Sequence, residues 1–477
     1  MNSTARLAAL ALLLTAACGA PRPTDTGAEP TGETSLALTS IPTGVQCVQI
    51  TATGSSTVSK SFAVTAGASS VGLALGELPL GNVAIAGQAF NAACASIAGT
   101  SPTYVADPQT VVLKAGLVTN LTMTFRPDNP VNATANFLGD VAEIVPTGFG
   151  TYFLMSDGTV RAAGLTPITN SPTVIPVPGL TNVAQIAASD FQGCALLANG
   201  TAQCWGHNSF GQLGNGSTTN TTAPVNVVGI SSAVHLVVGN TFTCALLVGG
   251  TVECWGYNAD GELGNGTTTN SSVPVSVPGQ FAKIAAAGQT ACGITEAGGV
   301  QCWGLNAYGE LGNGTTTNSS APVSTSLEAV VALAAGLYHF CALRADGTVR
   351  CWGDNSNGGL GNGTYTNSST PVLVPLTSVN QIVAGVFSTC AKSSVGVYCW
   401  GEDVNGELGD GTGVNSPSPI LLSALGPTTA IAGGDAADGF CAQMSDMTID
   451  CWGSNAEGQL GNGTYTNAFV PIPIPMQ

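Results

Sequence analysis

Cysteine is the residue with the most regular spacing in this chain of 477 residues, and paired cysteines can form disulfides, bind zinc or remain as thiols. Twelve of the 15 cysteines form six pairs with eight or nine residues between the members, and Trp-Gly always follows the second member. Zinc sites need four convergent ligands at shorter spacings, which six separate pairs do not supply. The pairs therefore indicate a structural role, as disulfides or, alternatively, as buried free thiols. The paired residues are Cys194 and Cys204, Cys244 and Cys254, Cys292 and Cys302, Cys341 and Cys351, Cys390 and Cys399, and Cys441 and Cys451.

The turn between the paired cysteines favours disulfides. In the first pair the sequence 198–200 is Ala-Asn-Gly, and a three-residue turn that ends in glycine is typical of a β-hairpin. Such a turn places Cys194 opposite Cys204 on adjacent strands, within disulfide reach. The fifth pair is one residue shorter, which predicts a two-residue turn at Ser394 and Val395. The sixth has Met447 where the other three-residue turns have glycine, which predicts a strained or rebuilt turn.

The usual catalytic residues show no comparable pattern. His207, His235 and His339 are far apart in sequence, and no nucleophile motif accompanies them. We therefore expect a protein without enzymatic activity, cofactor or bound metal. Calcium binding at residues 258–262 is disfavoured because the spacing is not repeated in the other copies. The alternative is an exported hydrolase or lyase whose carboxylates come from different repeats, with the candidates Asp190, Asp260 and Asp435.

The cysteine pairs belong to a repeat of about 50 residues. The six tryptophans share one register, and each is followed by a loop ending in Leu-Gly-Asn-Gly or Leu-Gly-Asp-Gly. A seventh copy begins at Phe149, with Tyr152 and Ala162 at the cysteine positions and Ala163 at the tryptophan position. Four short strands in each copy predict an all-β fold, a seven-bladed β-propeller over residues 140–477.

The segment before the repeats predicts export. An apolar run over residues 7–17 is too short to cross a bilayer and is typical of a signal peptide, here residues 1–18. The residues before Cys18 resemble a bacterial lipoprotein cleavage site, so we expect Cys18 to carry a lipid anchor in the cell envelope, with plain secretion as the alternative. Residues 19–35 have the composition of a disordered linker. Alternating residues over 36–135 predict a small β-sandwich, with a disulfide between Cys47 and Cys94.

Composition excludes nucleic acid as a partner. The chain has 27 acidic and 10 basic residues, a formal net charge of −17, and only 8% charged residues overall. Phosphate backbones are bound by basic surfaces, which this chain lacks.

The repeat resembles that of the regulator-of-chromosome-condensation family. The residues that carry the resemblance are Leu213-Gly214-Asn215-Gly216 followed by Pro224, and Ala335-Gly336-Leu337-Tyr338-His339 before a hydrophobic strand. The resemblance covers about residues 140–477 and implies a seven-bladed propeller. It does not imply nucleotide exchange, because one fold serves many functions.

Two loops in each repeat are expected to emerge on one face and to bind a partner. Aromatic residues are favoured anchors at interfaces, and residue types vary among the copies at these loop positions. We therefore expect a monomeric binding scaffold that recognises a protein or a glycan; a passive adhesin or coat protein is a further alternative. The expected binding residues are Phe191, Phe210, Asp260, Tyr308, Tyr338, His339 and Phe387.

Overall fold

The computed structural model of the chain forms two compact units, Met1–Asn129 and Pro130–Gln477. It describes residues 9–17, 31–38, 47–53, 57–63, 71–79, 81–90, 94, 104–113, 119–127, 141–434 and 437–475. Within these ranges, no helix has the length and apolar character needed to cross a membrane. Cys18 and Asp435, which the sequence singled out, lie outside the described residues.

The described residues of the first unit form eight antiparallel strands, which are β1 (Ala9–Ala17), β2 (Thr31–Leu38), β3 (Cys47–Thr53), β4 (Thr57–Ala63), β5 (Val71–Pro79), β6 (Gly81–Phe90), β7 (Tyr104–Leu113) and β8 (Thr119–Pro127). Hydrogen bonding joins them in the order β4-β3-β6-β7-β8-β1-β2-β5 within one sheet, so the predicted two-layer sandwich is not confirmed. Cys47 and Cys94 are disulfide-bonded, with their Cα atoms 5.1 Å apart. Strands β1 and β2 fall within the predicted signal peptide and across the end of the predicted linker, since a short apolar run fits a strand as well as a leader.

The second unit is a seven-bladed propeller, as the repeats predict. Each blade is one antiparallel four-stranded sheet whose strands, called A to D, follow in chain order. Blade 1 comprises β9 (Val141–Pro146), β10 (Gly150–Met155), β11 (Val160–Leu165) and β12 (Asn170–Pro176); blade 2, β13 (Val183–Ala188), β14 (Gln192–Leu197), β15 (Ala202–Gly206) and β16 (Thr221–Asn226); blade 3, β17 (Ala233–Val238), β18 (Phe242–Leu247), β19 (Val252–Gly256) and β20 (Ser271–Val277); blade 4, β21 (Phe281–Ala287), β22 (Thr290–Thr295), β23 (Val300–Gly304) and β24 (Ser319–Ser324).

The remaining blades have the same plan. Their strands are, in blade 5, β25 (Val330–Ala335), β26 (His339–Arg344), β27 (Val349–Gly353) and β28 (Ser368–Leu373); in blade 6, β29 (Val379–Ala384), β30 (Ser388–Ser393), β31 (Val397–Gly401) and β32 (Ser416–Leu421); and in blade 7, β33 (Thr428–Ala432), β34 (Gly439–Met444), β35 (Ile449–Gly453) and β36 (Ala468–Pro473). The A strands of neighbouring blades contact each other, so they form the inner wall of the ring.

Within each of blades 2 to 7, the two cysteines lie directly opposite each other on strands B and C. Cys194 pairs with Cys204 in the hairpin register, and the six blade disulfides have Cα separations of 4.0–4.1 Å. The two-residue turn predicted at Ser394 and Val395 is present, closed by a hydrogen bond from Ser393 N to Gly396 O of 2.9 Å. Each disulfide therefore staples a single hairpin and none joins two blades.

The apolar core lies between blades rather than within them. Leu213 of blade 2, for example, packs in one cluster with Leu236 and Trp255 of blade 3. In blades 3 to 7 the tryptophan indole Nε1 donates to a loop carbonyl of the preceding blade at 2.7–3.0 Å, as Trp352 does to Glu310 O. The glycine of the Leu-Gly turn lies against the same indole. Tryptophan therefore supplies both apolar contact and a hydrogen bond at each of these seams.

Blade 1 closes the ring without exchanging a strand with blade 7. The closing contacts are a backbone bond from Gly463 N to Pro172 O and an amide bond from Gln459 Nε2 to Gly148 O, both of 2.8 Å. Ala163 takes the place of tryptophan, so this seam has no indole. In the next seam, Trp205 donates to the Tyr152 hydroxyl at 3.3 Å. The two seams of blade 1 thus differ from the other five.

Replacing the seam glycine tests the tryptophan contact. A Cβ at Gly361 would lie 2.6 Å from Trp400 Nε1, whereas a Cβ at Gly461 would lie 2.9 Å from the Val174 Cγ2 methyl and 3.2 Å from the Ala163 methyl; the two glycines have similar φ angles of +65° and +70°. Both variants force alanine into the left-handed region and crowd a neighbour, but a valine methyl moves more easily than an indole held by a hydrogen bond, so Gly361→Ala should cost about 1 kcal/mol more. Denaturant unfolding of the two variants measures the difference. Equal decreases in the free energy of unfolding would show that the indole does not pack tightly against the glycine.

The turn at Met447 tests the cost of a side chain in the left-handed region. Met447 has φ 72° in a turn that keeps the same hydrogen bonds as the glycine-containing turns, so it is strained, as the sequence predicted, and not rebuilt. Met447→Gly should stabilise the protein by about 0.5–1 kcal/mol, after the extra entropy of glycine in the unfolded chain is subtracted. Gly347→Met at the matching position of blade 5, where φ is 77°, should destabilise it. A loss of stability in Met447→Gly would contradict the interpretation.

Candidate binding face

The A–B and C–D loops of each blade lie side by side on one face, which we call the loop face. In blades 2 to 7 the residue after Trp-Gly donates its backbone N–H to a carbonyl of the A–B loop, as His207 does to Phe191 and Asp354 does to Tyr338. The B–C turns lie at the opposite ends of the same strands. The loop positions that vary among the repeats are therefore gathered on one side of the ring.

A buried amide at the start of the C–D loop holds that loop rigid. In blade 2, Asn208 Oδ1 accepts the N–H of Leu213 at 3.0 Å, while Asn208 Nδ2 donates to the carbonyls of Ser217 and Thr219 at 3.0 and 3.1 Å. The arrangement recurs in blades 3, 4, 5 and 7. Because side-chain amides close these loops, they need no metal; none of the groups of His, Cys, Asp and Glu in the described ranges could hold one.

Blade 6 preserves this loop with a carboxylate instead of an amide. Asp403 accepts the N–H of Leu408 at 2.8 Å as the asparagines do, but it cannot donate. Val414 instead donates its backbone N–H to Asp403 at 3.0 Å, whereas the matching residue of the other blades accepts a hydrogen bond with its carbonyl. Gly413, with φ 67°, allows the backbone to present the N–H in place of the carbonyl. Burial raises the pKa of Asp403 to about 6.

Six of the seven residues expected to bind a partner lie at the loop face, and most join aromatic clusters. Phe191, Phe210 and Tyr308 are 38–47% exposed, and Tyr338 and Phe387 are half-buried. Phe191 stacks on His207 with ring centroids 5.1 Å apart, and Phe210 meets Tyr257 at 4.9 Å. Tyr338 lies between Tyr308 and Phe387, at 5.4 and 6.2 Å. We call Tyr308, Tyr338 and Phe387 the tyrosine cluster; it spans blades 4 to 6.

His339 differs from the prediction and does not belong to the surface. It is the first residue of β26, is 1% exposed, and its Nε2 lies 2.8 Å from the Thr389 hydroxyl of the next blade. Gln192 occupies the same place in blade 2 and donates to Thr243, the equivalent threonine, at 3.2 Å. His339 is therefore an inter-blade packing residue. Burial lowers its pKa to about 4, against an opposing effect of the Asp354 carboxylate.

Two of the three candidate catalytic carboxylates, Asp190 and Asp260, belong to the described residues, and each accepts a hydrogen bond from an adjacent blade. Asp190 accepts the N–H of Gly148 at 2.7 Å, and Asp260 accepts the amide of Asn318 at 2.8 Å, in separate blades. The structure adds two further acidic residues of the loop face, Asp438 and Glu402, which the sequence did not single out and whose pKa values are raised. Burial, then the charges of Glu407 and Asp190, raise the pKa of Asp438 to about 6. Burial, then Glu407 and Asp438, raise the pKa of Glu402 to about 7.

Two buried glutamates lie beneath the aromatic residues of the C–D loops. Glu310 Oε2 accepts the N–H of Tyr308 at 2.8 Å, and Glu262 Oε2 accepts the N–H of Asp260 at 2.9 Å. The second oxygen, Oε1, is buried without a hydrogen-bond partner in both residues. Burial raises the pKa of both carboxyl groups to about 7. Gln212 and Gln459 occupy the same loop position in blades 2 and 7.

This fold and its repeated loops define the class of protein. The RCC1-like domain matches residues 151–477, and the chain belongs to that family. No curated protein sequence matches the chain.

Solved structures of similar fold share about one residue in five with this chain. They include a chain in the crystal structure of Kap60 bound to yeast RCC1 (Prp20), at 21% identity and a TM-score of 0.58, covering 65% of this chain and 80% of that one. Prp20p from Saccharomyces cerevisiae is similar at 20% identity and 0.58, covering 69% and 86%. Human WBSCR16 is similar at 20% identity and 0.55, covering 68% and 89%. At these identities the likeness shows the fold alone.

The buried histidine gives a measurable pH dependence. Because the folded-state pKa of His339 lies near 4, below its ordinary 6.5, the unfolded chain takes up a proton first as the pH falls, and stability is lost between about pH 6.5 and 4. This loss amounts to about 3 kcal/mol at most. In His339→Gln the glutamine should keep the hydrogen bond to Thr389, as Gln192 bonds to Thr243, and the loss of stability caused by histidine protonation should disappear. The measurement is the unfolding free energy of the unmodified protein and of His339→Gln as a function of pH, and the difference between the two curves gives the contribution of His339. Parallel curves would contradict the shift.

Proposed function

We propose that this protein is a binding scaffold outside the cytoplasm and that its propeller recognises a partner protein with the loop face. The observation that carries the proposal is the set of exposed aromatic clusters on that face. Phe191 and Tyr308 are 47% and 43% exposed, although aromatic side chains of this size are usually buried. Exposed aromatic rings on rigid loops are typical of interfaces.

The rigidity of the loops supports recognition rather than drift at unconstrained tips. A backbone hydrogen bond ties each long C–D loop to strand D of the following blade, as from Gly216 N to Ser272 O at 2.9 Å and from Gly314 N to Ser369 O at 2.8 Å. Neighbouring A–B loops are also joined, from Leu337 N to Val386 O at 3.1 Å. A pre-organised surface loses little conformational entropy on binding.

Two further observations support location and mode of action. Seven disulfides favour an oxidising compartment, which agrees with the signal peptide proposed at residues 1–18 and the lipid anchor proposed at Cys18. Yeast RCC1 (Prp20) has been solved bound to Kap60, and binding of Prp20p to Gsp1p and histones is described with its structure. By analogy of fold, we propose protein recognition as the role here, with a glycan as the alternative ligand.

A hydrolase or lyase is the second candidate, and three acidic residues of the loop face with raised pKa values favour it. Asp190 and Asp438 each have a pKa raised to about 6, and Glu402 has one raised to about 7, values suited to general acid–base chemistry. Raised pKa values also arise in structural clusters. The exposed aromatic residues are not explained by hydrolysis, so binding is the preferred function.

The experiment that tests the binding function is capture by the immobilised, oxidised protein from cell-envelope and secreted extracts. A variant carrying Phe191→Ala, Tyr308→Ala and Tyr338→Ala together should lose the retained partner, with an expected loss of at least tenfold, because truncating interface aromatics commonly costs about 2 kcal/mol each. The measurement is the amount of each identified partner bound.

The matched control removes three exposed apolar side chains from the opposite side. Val228→Ala, Val248→Ala and Val395→Ala change residues that are 46–72% exposed at the B–C turns and the ends of D strands. This control should bind like the unmodified protein. Equal loss in both variants, or unchanged binding in the aromatic variant, would place the interaction elsewhere.

A further inference from the structure

The basic residues of the propeller lie away from the loop face, whereas acidic residues occur on both faces. Eleven described acidic residues lie in the A–B and C–D loops: Asp190, Asp260, Glu262, Glu310, Asp354, Glu402, Asp403, Glu407, Asp410, Asp438 and Glu457. The described loops contain no Lys or Arg. The five basic residues of the propeller are in strands, near the B–C-turn ends: Arg161, Lys283, Arg344, Arg350 and Lys392. The loop face is therefore an anionic surface without internal counter-charges from Lys or Arg.

The tyrosine cluster combines this charge with aromatic rings. Asp354 donates its backbone N–H to Tyr338 O at 2.8 Å, and Tyr308 donates its N–H to the Glu310 carboxylate at 2.8 Å, so each acidic residue is hydrogen-bonded to the backbone of one of the two tyrosines. Burial raises the pKa of Tyr338, and the charges of Tyr308, Glu310 and Asp354 raise it further. The rings and both carboxylates thus share one electrostatic environment.

One acceptor in this environment has no donor. Glu310 is fully buried, and its Oε1 makes no hydrogen bond. A buried, unpaired carboxylate oxygen is costly, and the cost is relieved either by a proton, which is why burial raises the pKa of Glu310 to about 7, or by the arrival of a positive charge. Tyrosine faces within about 6 Å of a cation also attract it. His339, which lies near Asp354, is held neutral by burial and supplies no charge near pH 7.

We propose that the tyrosine cluster receives a lysine or arginine side chain of the partner protein, with the rings of Tyr308 and Tyr338 as its contacts and the carboxylates of Glu310 and Asp354 beneath as its counter-charges. This inference rests on the proposed function and names the chemistry of the partner. A second place repeats the arrangement, where Phe210 and Tyr257 lie with Asp260 and buried Glu262, whose Oε1 is also unpaired. A partner segment with two basic residues fits both places.

The test uses fluorescent peptides and the full, oxidised protein. A Lys-Ser repeat peptide and an Arg-Ser repeat peptide should bind, with affinity falling between about 0.05 M and about 0.5 M NaCl as charges are screened, and a Glu-Ser repeat peptide should not bind. The variant Glu310→Gln with Asp354→Asn should weaken binding at least tenfold. Its loop should be preserved, because Gln212 and Gln459 already accept the equivalent N–H, each at 3.0 Å.

The control makes the same change of net charge on the opposite side. Glu253→Gln with Glu296→Gln alters residues of strand C and a B–C turn, and the dissociation constant should change less than twofold. Equal weakening in both double variants would overturn the site, because it would reflect the overall field alone. Unchanged binding in Glu310→Gln with Asp354→Asn would overturn it too, and would indicate that a proton satisfies Glu310.

The failure of this inference is distinguishable from that of the binding function. If the natural partner is lost from the aromatic variant but retained by Glu310→Gln with Asp354→Asn, the loop face binds by apolar contact and the cationic site is wrong. Binding of the Glu-Ser peptide as strong as that of the Lys-Ser peptide would also overturn the site. Loss of the partner from both variants, with the opposite-side controls intact, supports both conclusions.

Discussion

The packing of each tryptophan against the preceding blade is the constraint on which the propeller depends. The indole needs an apolar surface and a hydrogen-bond acceptor together. In blades 3 to 7 the C–D loop of the preceding blade offers both, and in blade 2 the acceptor is the Tyr152 hydroxyl. Trp352 illustrates the coupling, since its Nε1 donates at 2.7 Å to the carbonyl of Glu310, whose side chain lies beneath the tyrosine cluster. The same contact therefore sets the angle between two blades and the position of the loop that presents aromatic rings to solvent. A substitution in the core between two blades is therefore expected to move the aromatic residues on the loop face as well.

The repeats made much of the architecture predictable, because each copy tests the assignment of the others. Turn residues such as Asn199 and Gly200 determine the hairpin register, and the register determines which cysteines meet. The sequence could not show which side of a strand faces the next blade. His339 and Tyr338 are adjacent in a loop-like motif, yet one is buried between blades and the other reaches the surface. Tyr257 cannot be identified from the repeats, because the matching positions in the other blades carry unrelated residues.

Blade 1 departs from the pattern, partly in ways visible in the sequence and partly in ways that the structure reveals. It lacks the disulfide, the tryptophan and the long C–D loop, and it bears an acid at a place where blade 2 has Gln185. Glu143 is buried there and accepts the N–H of Ile186 at 3.0 Å, as Gln185 accepts that of Leu236 at 2.8 Å. Burial raises the pKa of Glu143 to about 8, so the protonated acid takes the place of an amide at neutral pH. Nothing in the residue types marks this position as interior.

Confinement of every blade disulfide to its own hairpin has a consequence for biogenesis and descent. Partners nine or ten positions apart meet within the time of local chain closure, so each thiol finds its mate before distant cysteines compete. A chain threaded through a translocation pore in an extended form can therefore acquire its bonds one unit at a time, as each segment emerges. For the same reason, duplication or deletion of a whole unit leaves no orphaned thiol. The disulfides stabilise individual blades without restricting how many blades the propeller contains.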